Sequence, residues 1–212
     1  MTQQSAREVL IQAPNFQTAI FRIIGKSPLV MNKFSQKARD TMRAKQAAGS
    51  QAKKGKAREA KDFDACYEGA MHRSKEGWAG MPAAAFRAAM ISACRLVNFK
   101  MTLSKLSLFI EADGFDVDEG VPLVRINGDA RPLEMYVRNE TGVCDIRIRP
   151  LFEKWDAELR VRFDADIFGE QDVANLLMRA GLQVGIGEGR PDSKKSAGMG
   201  WGTFDLGGPK KK

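Results

Sequence analysis

Two segments in which apolar and charged residues strictly alternate constrain the fold of this chain more than any other feature. In 144–149 and 157–164 every second residue is apolar, and the residues between them are charged. A period of two places each set on one face of a sheet, so the pattern predicts strands with one buried face. We expect the two strands to pair and to gather four arginines on the polar face: Arg147, Arg149, Arg160 and Arg162. Cross-strand ion pairs and a contact with nucleic acid both remain open as their role.

Two helices and a first strand accompany this pair. Residues 16–25 are apolar and rich in aromatic and β-branched residues, which predicts a buried strand that ends at Gly25. Pro82 suits the first position of a helix, and the residues that follow predict a core-facing stripe of Phe86, Met90, Ala93 and Val97. Residues 170–180 predict a second amphipathic helix, capped by Gly181, whose apolar face consists of Val173, Leu176, Leu177 and Ala180.

Shorter strands are expected at 104–111, 121–126, 133–138 and 201–206. Without its insertions the chain then has the order β-α-β-β-α-β. This order predicts an α+β fold with a ferredoxin-like core, similar to that of an RNA-recognition motif. We assign 1–32 and 81–206 to the core, 33–80 to a helical insertion after the first strand, and 207–212 to a disordered basic tail.

The positive charge of the chain is concentrated in the insertion. Between Lys33 and Lys61 ten basic residues stand against two acidic ones, an excess equal to the net charge of +8 of all 212 residues. We expect a short helix over 35–49, a mobile link at 49–55 and a second helix over 56–71. Such a block is typical of a polyanion contact or of a solvated loop. The candidate contacts are Lys33, Lys37, Arg39, Arg43, Lys53, Lys54, Lys56 and Arg58.

A glycine-rich loop at 185–200 is the second candidate site. It lies between a helix and a strand and lacks the glycine spacing of a dinucleotide fingerprint or a P-loop. Glycines allow backbone N–H groups to approach an anion closely, and nearby cations attract phosphate. A plain flexible connection that contributes little to the core remains the alternative. The candidate phosphate contacts are Gly185, Gly187, Gly189, Arg190, Lys194 and Lys195.

Several classes of function find little support in the sequence. His72 is the only histidine, and a structural role is favoured over that of a general base. The acidic residues Asp113, Asp116, Asp118 and Glu119 fit no EF-hand loop, and we expect a solvated loop there. We therefore predict no catalytic residue, no metal site and no cofactor.

The same survey bears on location and on base stacking. Three cysteines without a CxxC pair favour a reducing, cytoplasmic compartment. The chain has no apolar run of ~18 residues and no apolar segment near its start, so we expect no contact with a membrane. Phe34 and Trp78 flank the insertion, where they could stack on bases or pack as hinge residues.

Three segments resemble the RAMP superfamily of CRISPR-associated proteins, and within it the repeated backbone subunit of effector complexes. Residues 23–35 (IIGKSPLVMNKFS) look like the family's first strand and the turn after it. Residues 81–90 (MPAAAFRAAM) are similar to the start of its first helix. Residues 184–190 (VGIGEGR) and 198–204 (GMGWGTF) resemble its glycine-rich loop before the last strand.

The resemblance implies an RRM-like fold that binds guide RNA along its backbone and polymerises head to tail, with other effector subunits as possible partners, in antiviral defence. The insertion would correspond to the family's thumb or palm extension. A diverged phage or plasmid relative that coats single-stranded RNA or DNA fits equally well. An endoribonuclease with His72 as its base, or an assembly protein whose basic arm binds another protein, are the alternatives.

Overall fold

The computed structural model describes residues 11–34, 39–41, 43–44, 62–138, 142, 144–193 and 198–208. The fold is a mixture of helices and antiparallel sheets. The helices are α1 (Phe63–Gly69), α2 (Ala83–Ala93), α3 (Met101–Ser107) and α4 (Glu170–Arg179). The strands are β1 (Phe16–Gly25), β2 (Leu29–Val30), β3 (Gly80–Pro82), β4 (Leu108–Glu111), β5 (Gly114–Phe115), β6 (Pro122–Arg125), β7 (Ala130–Arg138), β8 (Cys144–Phe152), β9 (Asp156–Asp164) and β10 (Phe204–Leu206).

The largest sheet has four strands in the order β10-β1-β9-β4, and each neighbouring pair is antiparallel. Its centre is the pairing of β1 with β9, which runs from Phe16 opposite Asp164 to Ile24 opposite Asp156. The alternation in β9 has the predicted effect, since every second residue is buried: Ala157, Leu159, Val161 and Phe163. The predicted strand at 16–25 is likewise confirmed.

Helices α2 and α4 supply the other half of the core, in contact with each other and with this sheet. The apolar face predicted for the second helix is confirmed, because Val173, Leu176, Leu177 and Ala180 are all buried. In the first helix Phe86, Met90 and Ala93 are buried as predicted. Val97 is 44% exposed, because a 3-10 turn over Cys94–Val97 rotates it away from the core.

Two smaller sheets flank the core. In the order β2-β8-β7, the strands β7 and β8 form a hairpin nine residues long, and β3-β6-β5 form the other sheet. The predicted pairing of 144–149 with 157–164 is wrong, because β8 pairs with β7 and β2, whereas β9 pairs with β1 and β4. The buried Trp155 lies between β8 and β9, and its indole N–H donates to the Ser27 carbonyl at 2.9 Å. This contact fixes the chain as it passes from one sheet to the other.

The remaining predictions of elements hold in part. The strand expected at 104–111 begins only at Leu108, because α3 occupies the preceding residues and buries Ser104 and Ser107. The strand expected at 201–206 is confined to β10. In the insertion, 39–41 and 43–44 are helical and fall within the first expected helix. Helix α1 lies within the second expected helix. The expected link at 49–55 and residues 209–212 of the expected tail lie outside the described residues. No helix among the described residues is long and apolar enough to cross a membrane.

Candidate nucleic-acid groove

A groove of about 870 Å³ runs between α2 and the glycine-rich loop. One wall is formed by α2, where Ala85, Ala88 and Ser92 are at least partly exposed and the buried Ala89 and Ile91 lie behind them. The opposite wall is the loop from Gly185 to Ser193, and Asn32 and His72 lie along the same groove. Its basic side chains are Arg95, Lys105 and Arg190. Four of the six predicted phosphate contacts line this groove: Gly185, Gly187, Gly189 and Arg190.

The glycine-rich loop is part of the core, which contradicts the expectation that it contributes little there. After α4 the chain continues as a π-helical turn over Ala180–Val184, so the helix does not end at the predicted cap Gly181. Gly181 instead allows close packing, since a Cβ on it would lie 2.2 Å from the Phe204 carbonyl oxygen. Val184 and Ile186 are buried in the main core.

Two backbone hydrogen bonds hold the loop in place. The Ile186 N–H donates to the Gly202 carbonyl at 3.0 Å, and the Glu188 N–H donates to the Val30 carbonyl at 2.9 Å. Gly187 has a φ of +78°, and a Cβ on it would lie 2.6 Å from the Val30 oxygen. The glycine is therefore required by packing inside the protein. Within the described part of the chain, the N–H groups of Gly187 and Gly189 have no backbone acceptor.

Charged side chains tie the loop to its surroundings. The Arg190 guanidinium donates to the Gly187 carbonyl at 3.1 Å. Asp192 crosses to α2, where it accepts from the Ser92 hydroxyl and, at 2.8 Å, from the Arg95 guanidinium. The hydrogen bond from Ser92, and then the charge of Arg95, outweigh burial and hold the pKa of Asp192 below its usual value. One end of the groove is thus closed by an ion pair.

The chain enters and leaves the basic insertion beside the groove. The backbone N–H of Lys33 donates to the Ala70 carbonyl at 2.9 Å, so the chain leaves and returns at one place. Asn32, just before this point, and His72, just after it, both line the groove. Seven of the predicted contacts lie outside the described residues: Lys37, Lys53, Lys54, Lys56, Arg58, Lys194 and Lys195. Of the others, Arg43 is exposed and Arg39 forms an ion pair with Glu119 at 2.8 Å.

The structure does not support the prediction that Lys33 contacts phosphate, because its side chain is only 2% exposed. Its ammonium group lies 2.8 Å from a carboxylate oxygen of Asp116 and 2.6 Å from one of Asp118. Burial by itself would lower the pKa of Lys33, but these two carboxylates outweigh it and raise the pKa above 10.5. The charge is neutralised inside the protein and is not available to a ligand.

Asp116 is the centre of this buried cluster, so the expectation of a solvated acidic loop is wrong at this position. Its carboxylate is fully buried and also lies 3.0 Å from Nδ1 of His72. Burial by itself would raise the pKa of Asp116. Hydrogen bonds from Lys33, from His72 and from the backbone N–H groups of Glu119 and Asp118 instead lower this pKa to about 2. We call Lys33, His72, Asp116 and Asp118 the clasp.

The four arginines of the predicted polar face are divided between two sheets and engaged within the protein. Arg160 pairs with Asp113 at 2.7 Å, and Arg149 pairs with Glu188 at 2.8 Å. Arg147 lies 3.8 Å from Asp145. The guanidinium of Arg162 lies about 5 Å from two aromatic ring centres, those of Phe16 and Phe109. The open face of the large sheet is therefore stabilised by its own ion pairs and ring contacts.

The sequence analysis did not identify the α2 wall, the Ser92–Arg95–Asp192 crossing or Lys105. The one signal for the wall was the run of alanines after Pro82, which was interpreted only through its apolar stripe. Among the described residues no group of three or more His, Cys, Asp or Glu side chains could hold a metal ion. Neither the known protein-family models nor the curated proteins contain a match to this chain.

Proposed function

We propose that this chain is a non-enzymatic protein that binds single-stranded RNA or DNA in the groove and oligomerises along the strand. Its core would be ferredoxin-like. In support, α2 lies between β1 and β4 in the chain, and α4 lies between β9 and β10. If β1, β4, β9 and β10 are numbered first to fourth along the chain, they lie side by side in the order fourth, first, third, second. This is the arrangement expected of two interleaved β-α-β units.

One observation carries the proposal: the residues that flank the basic block and the glycine-rich loop border the same groove. The insertion enters and leaves beside Asn32 and His72, and Lys194 and Lys195 follow directly after Ser193 on the opposite wall. Lys105 also lines the groove and has no ion-pair partner among the described residues. Cations placed around a long channel attract the phosphates of a strand, and binding releases their counterions.

The groove suits the strand's backbone better than its bases. Its α2 wall includes the small side chains of Ala85, Ala88 and Ser92. Its loop wall includes Gly187 and Gly189, whose N–H groups have no backbone acceptor among the described residues, beside Arg190. Backbone amides and a guanidinium group are ligands for phosphate oxygens. No Phe, Tyr or Trp side chain lines this groove in the part of the chain that the structure describes. We therefore expect weak dependence on base sequence.

The decisive measurement is the dependence of affinity on salt for a fluorescent single strand. Replacing Lys194 and Lys195 with alanine should reduce the slope of log affinity against log salt by up to about 1.4, since each phosphate contact contributes about 0.7. The matched control is the double alanine variant of Lys75 and Lys154, two exposed lysines that do not line the groove. Equal slopes in the two variants would contradict the proposal. The formation of longer assemblies on longer strands, measured by light scattering, tests oligomerisation.

A second candidate, an endoribonuclease, is favoured by the geometry of His72. Its Nδ1 lies 3.0 Å from the buried Asp116 carboxylate, and its ring lines the groove. A carboxylate at Nδ1 orients an imidazole so that Nε2 can accept a proton. Our first proposal predicts that RNA stays intact in the groove. Cleavage that needs a 2′-hydroxyl and is lost in His72→Gln would establish the enzyme instead.

A further inference from the structure

A second cavity, of about 410 Å³, lies beside the same insertion but does not belong to the groove. Met71 and Arg73 line it, whereas His72 between them lines the groove. Its apolar lining is provided by the buried side chains of Met71, Ile126 and Phe152. A volume of this size is within the range of small-molecule sites, and polar side chains line the cavity beside these apolar ones.

Two aromatic side chains in this cavity are held in place. The six-membered ring of Trp78 lies against the backbone of Gly80 and Gly114, so close that a Cβ on either would be 2.8 Å from a ring carbon. The Tyr67 hydroxyl donates to the Ala130 carbonyl at 3.2 Å. Both side chains line the cavity. A fixed aromatic ring offers a stacking surface to a flat ligand with little loss of side-chain entropy.

The polar groups that line the cavity differ in what they already bind. Arg73 is engaged by the Glu68 carboxylate at 2.9 Å, and the Asn127 amide donates to Asp156 at 2.7 Å. By contrast, the exposed side chains of Arg125 and Asp129 make no hydrogen bond or ion pair with any residue in the described ranges. A free guanidinium and a free carboxylate thus border the same aromatic cavity.

We propose that this cavity binds one nucleotide. The base lies against Trp78 and Tyr67, the phosphate binds Arg125, and Asp129 accepts a hydrogen bond from an amino group on the base. A carboxylate accepts from the N4 amino group of cytosine, whereas uracil presents a carbonyl there. The site therefore prefers cytidine to uridine monophosphate. The proposal does not depend on the groove, because none of the described residues lines both cavities.

Isothermal titration calorimetry of the full chain with cytidine and uridine monophosphate tests this site. We expect saturable binding of cytidine monophosphate with a Kd below about 1 mM, and about tenfold weaker binding of uridine monophosphate. Arg125→Ala should weaken both nucleotides about tenfold. Asp129→Asn should abolish the preference for cytidine. The control is Arg131→Ala, a nearby exposed arginine that pairs with Glu153 and does not line the cavity.

Competition with a labelled oligonucleotide identifies the source of the nucleotide. If mononucleotide displaces the strand, and Arg125→Ala weakens both, the cavity holds a base of the bound strand. If the mononucleotide binds without affecting the strand, the ligand is a free nucleotide. In the alanine variant of Lys194 and Lys195, mononucleotide binding should persist even if strand binding is lost. Absence of saturable binding of either mononucleotide, or equal binding to wild type and Arg125→Ala, would overturn the proposal.

Discussion

Two concentrations of charge meet at His72, which belongs to the clasp and also lines the groove, and they use similar residues in opposite ways. In the clasp, the Lys33 ammonium is buried and neutralised by two carboxylates. Along the groove, Lys105 has no ion-pair partner among the described residues, and Arg190 reaches a carbonyl oxygen. A buried ion pair fixes the chain, and a cation at a groove remains available for a ligand. The position of a charge in the fold, more than its place in a basic run, decides its role.

The clasp gives the largest expected effect. Lys33→Met removes the cation that lies between two carboxylates. The buried Asp116 carboxylate then keeps only its hydrogen bonds with His72 and with the backbone N–H groups of Asp118 and Glu119. The loss of one partner of a buried ion pair costs about 3–5 kcal/mol. Urea denaturation should show a loss of this size in the free energy of unfolding. Adding Asp116→Asn should recover part of it, and a loss below about 1 kcal/mol in the single variant would show that the clasp is not structural.

The loop wall gives a smaller expected effect when two matched glycines are compared, because their difference isolates the packing contribution from the backbone strain. Gly200 and Gly202 both have positive φ, but a Cβ on Gly202 would lie 1.8 Å from the Ile186 oxygen, whereas one on Gly200 would meet nothing within 4 Å. Both alanine variants carry about 1–2 kcal/mol of backbone strain. Gly202→Ala should lose about 2–3 kcal/mol more in urea denaturation. Equal losses would mean that the loop is not packed as described.

Acid distinguishes the two regions further. The pKa of Asp116 lies at about 2 in the folded protein against 3.8 ordinarily, so its deprotonated form contributes stability at neutral pH. Because the folded pKa is lowered, this contribution is present above about pH 4 and is lost as the pH falls towards 2. The loss amounts to about 2 kcal/mol. Denaturation of wild type and Asp116→Asn between these pH values should show a steeper decline in wild type, and parallel curves would contradict this assignment.

The sequence predicted those elements whose signal is local. The β1 and β9 strands, and the buried faces of α2 and α4, follow from spacing along a short stretch of chain. The pairing of β8 depends on Trp155 and on β7, a strand of equal length. The alternation of apolar and charged residues within β8 does not show which strand will pair with it. The fate of Lys33 depended on Asp116, more than eighty residues away. Strand pairing and burial depend on residues that are distant in the sequence. A count of charges along one segment does not include them, so it assigned Lys33 to the wrong role.

The same limit applies to the groove. Glycine at 187 was explained by a phosphate, whereas the Val30 carbonyl already requires it. The alanines of α2 gave no prediction of a groove, because nothing local to them shows that a loop from the other end of the chain lies opposite. A site formed by empty space between two distant segments leaves little trace in either segment.

The smallest expected effect on folding therefore gives the most specific test of the groove. Ala84 and Ala88 are both exposed on α2, but only Ala88 lines the groove. Leucine and alanine have similar helix propensities, so neither Ala84→Leu nor Ala88→Leu should change the free energy of unfolding by more than about 0.5 kcal/mol. Ala88→Leu places an uncharged side chain where the strand would lie. It should weaken binding of a single strand about tenfold without changing the salt slope, because no cation is lost. Fluorescence anisotropy at several salt concentrations measures both quantities, and equal affinity of the two leucine variants would place the bound strand outside the groove.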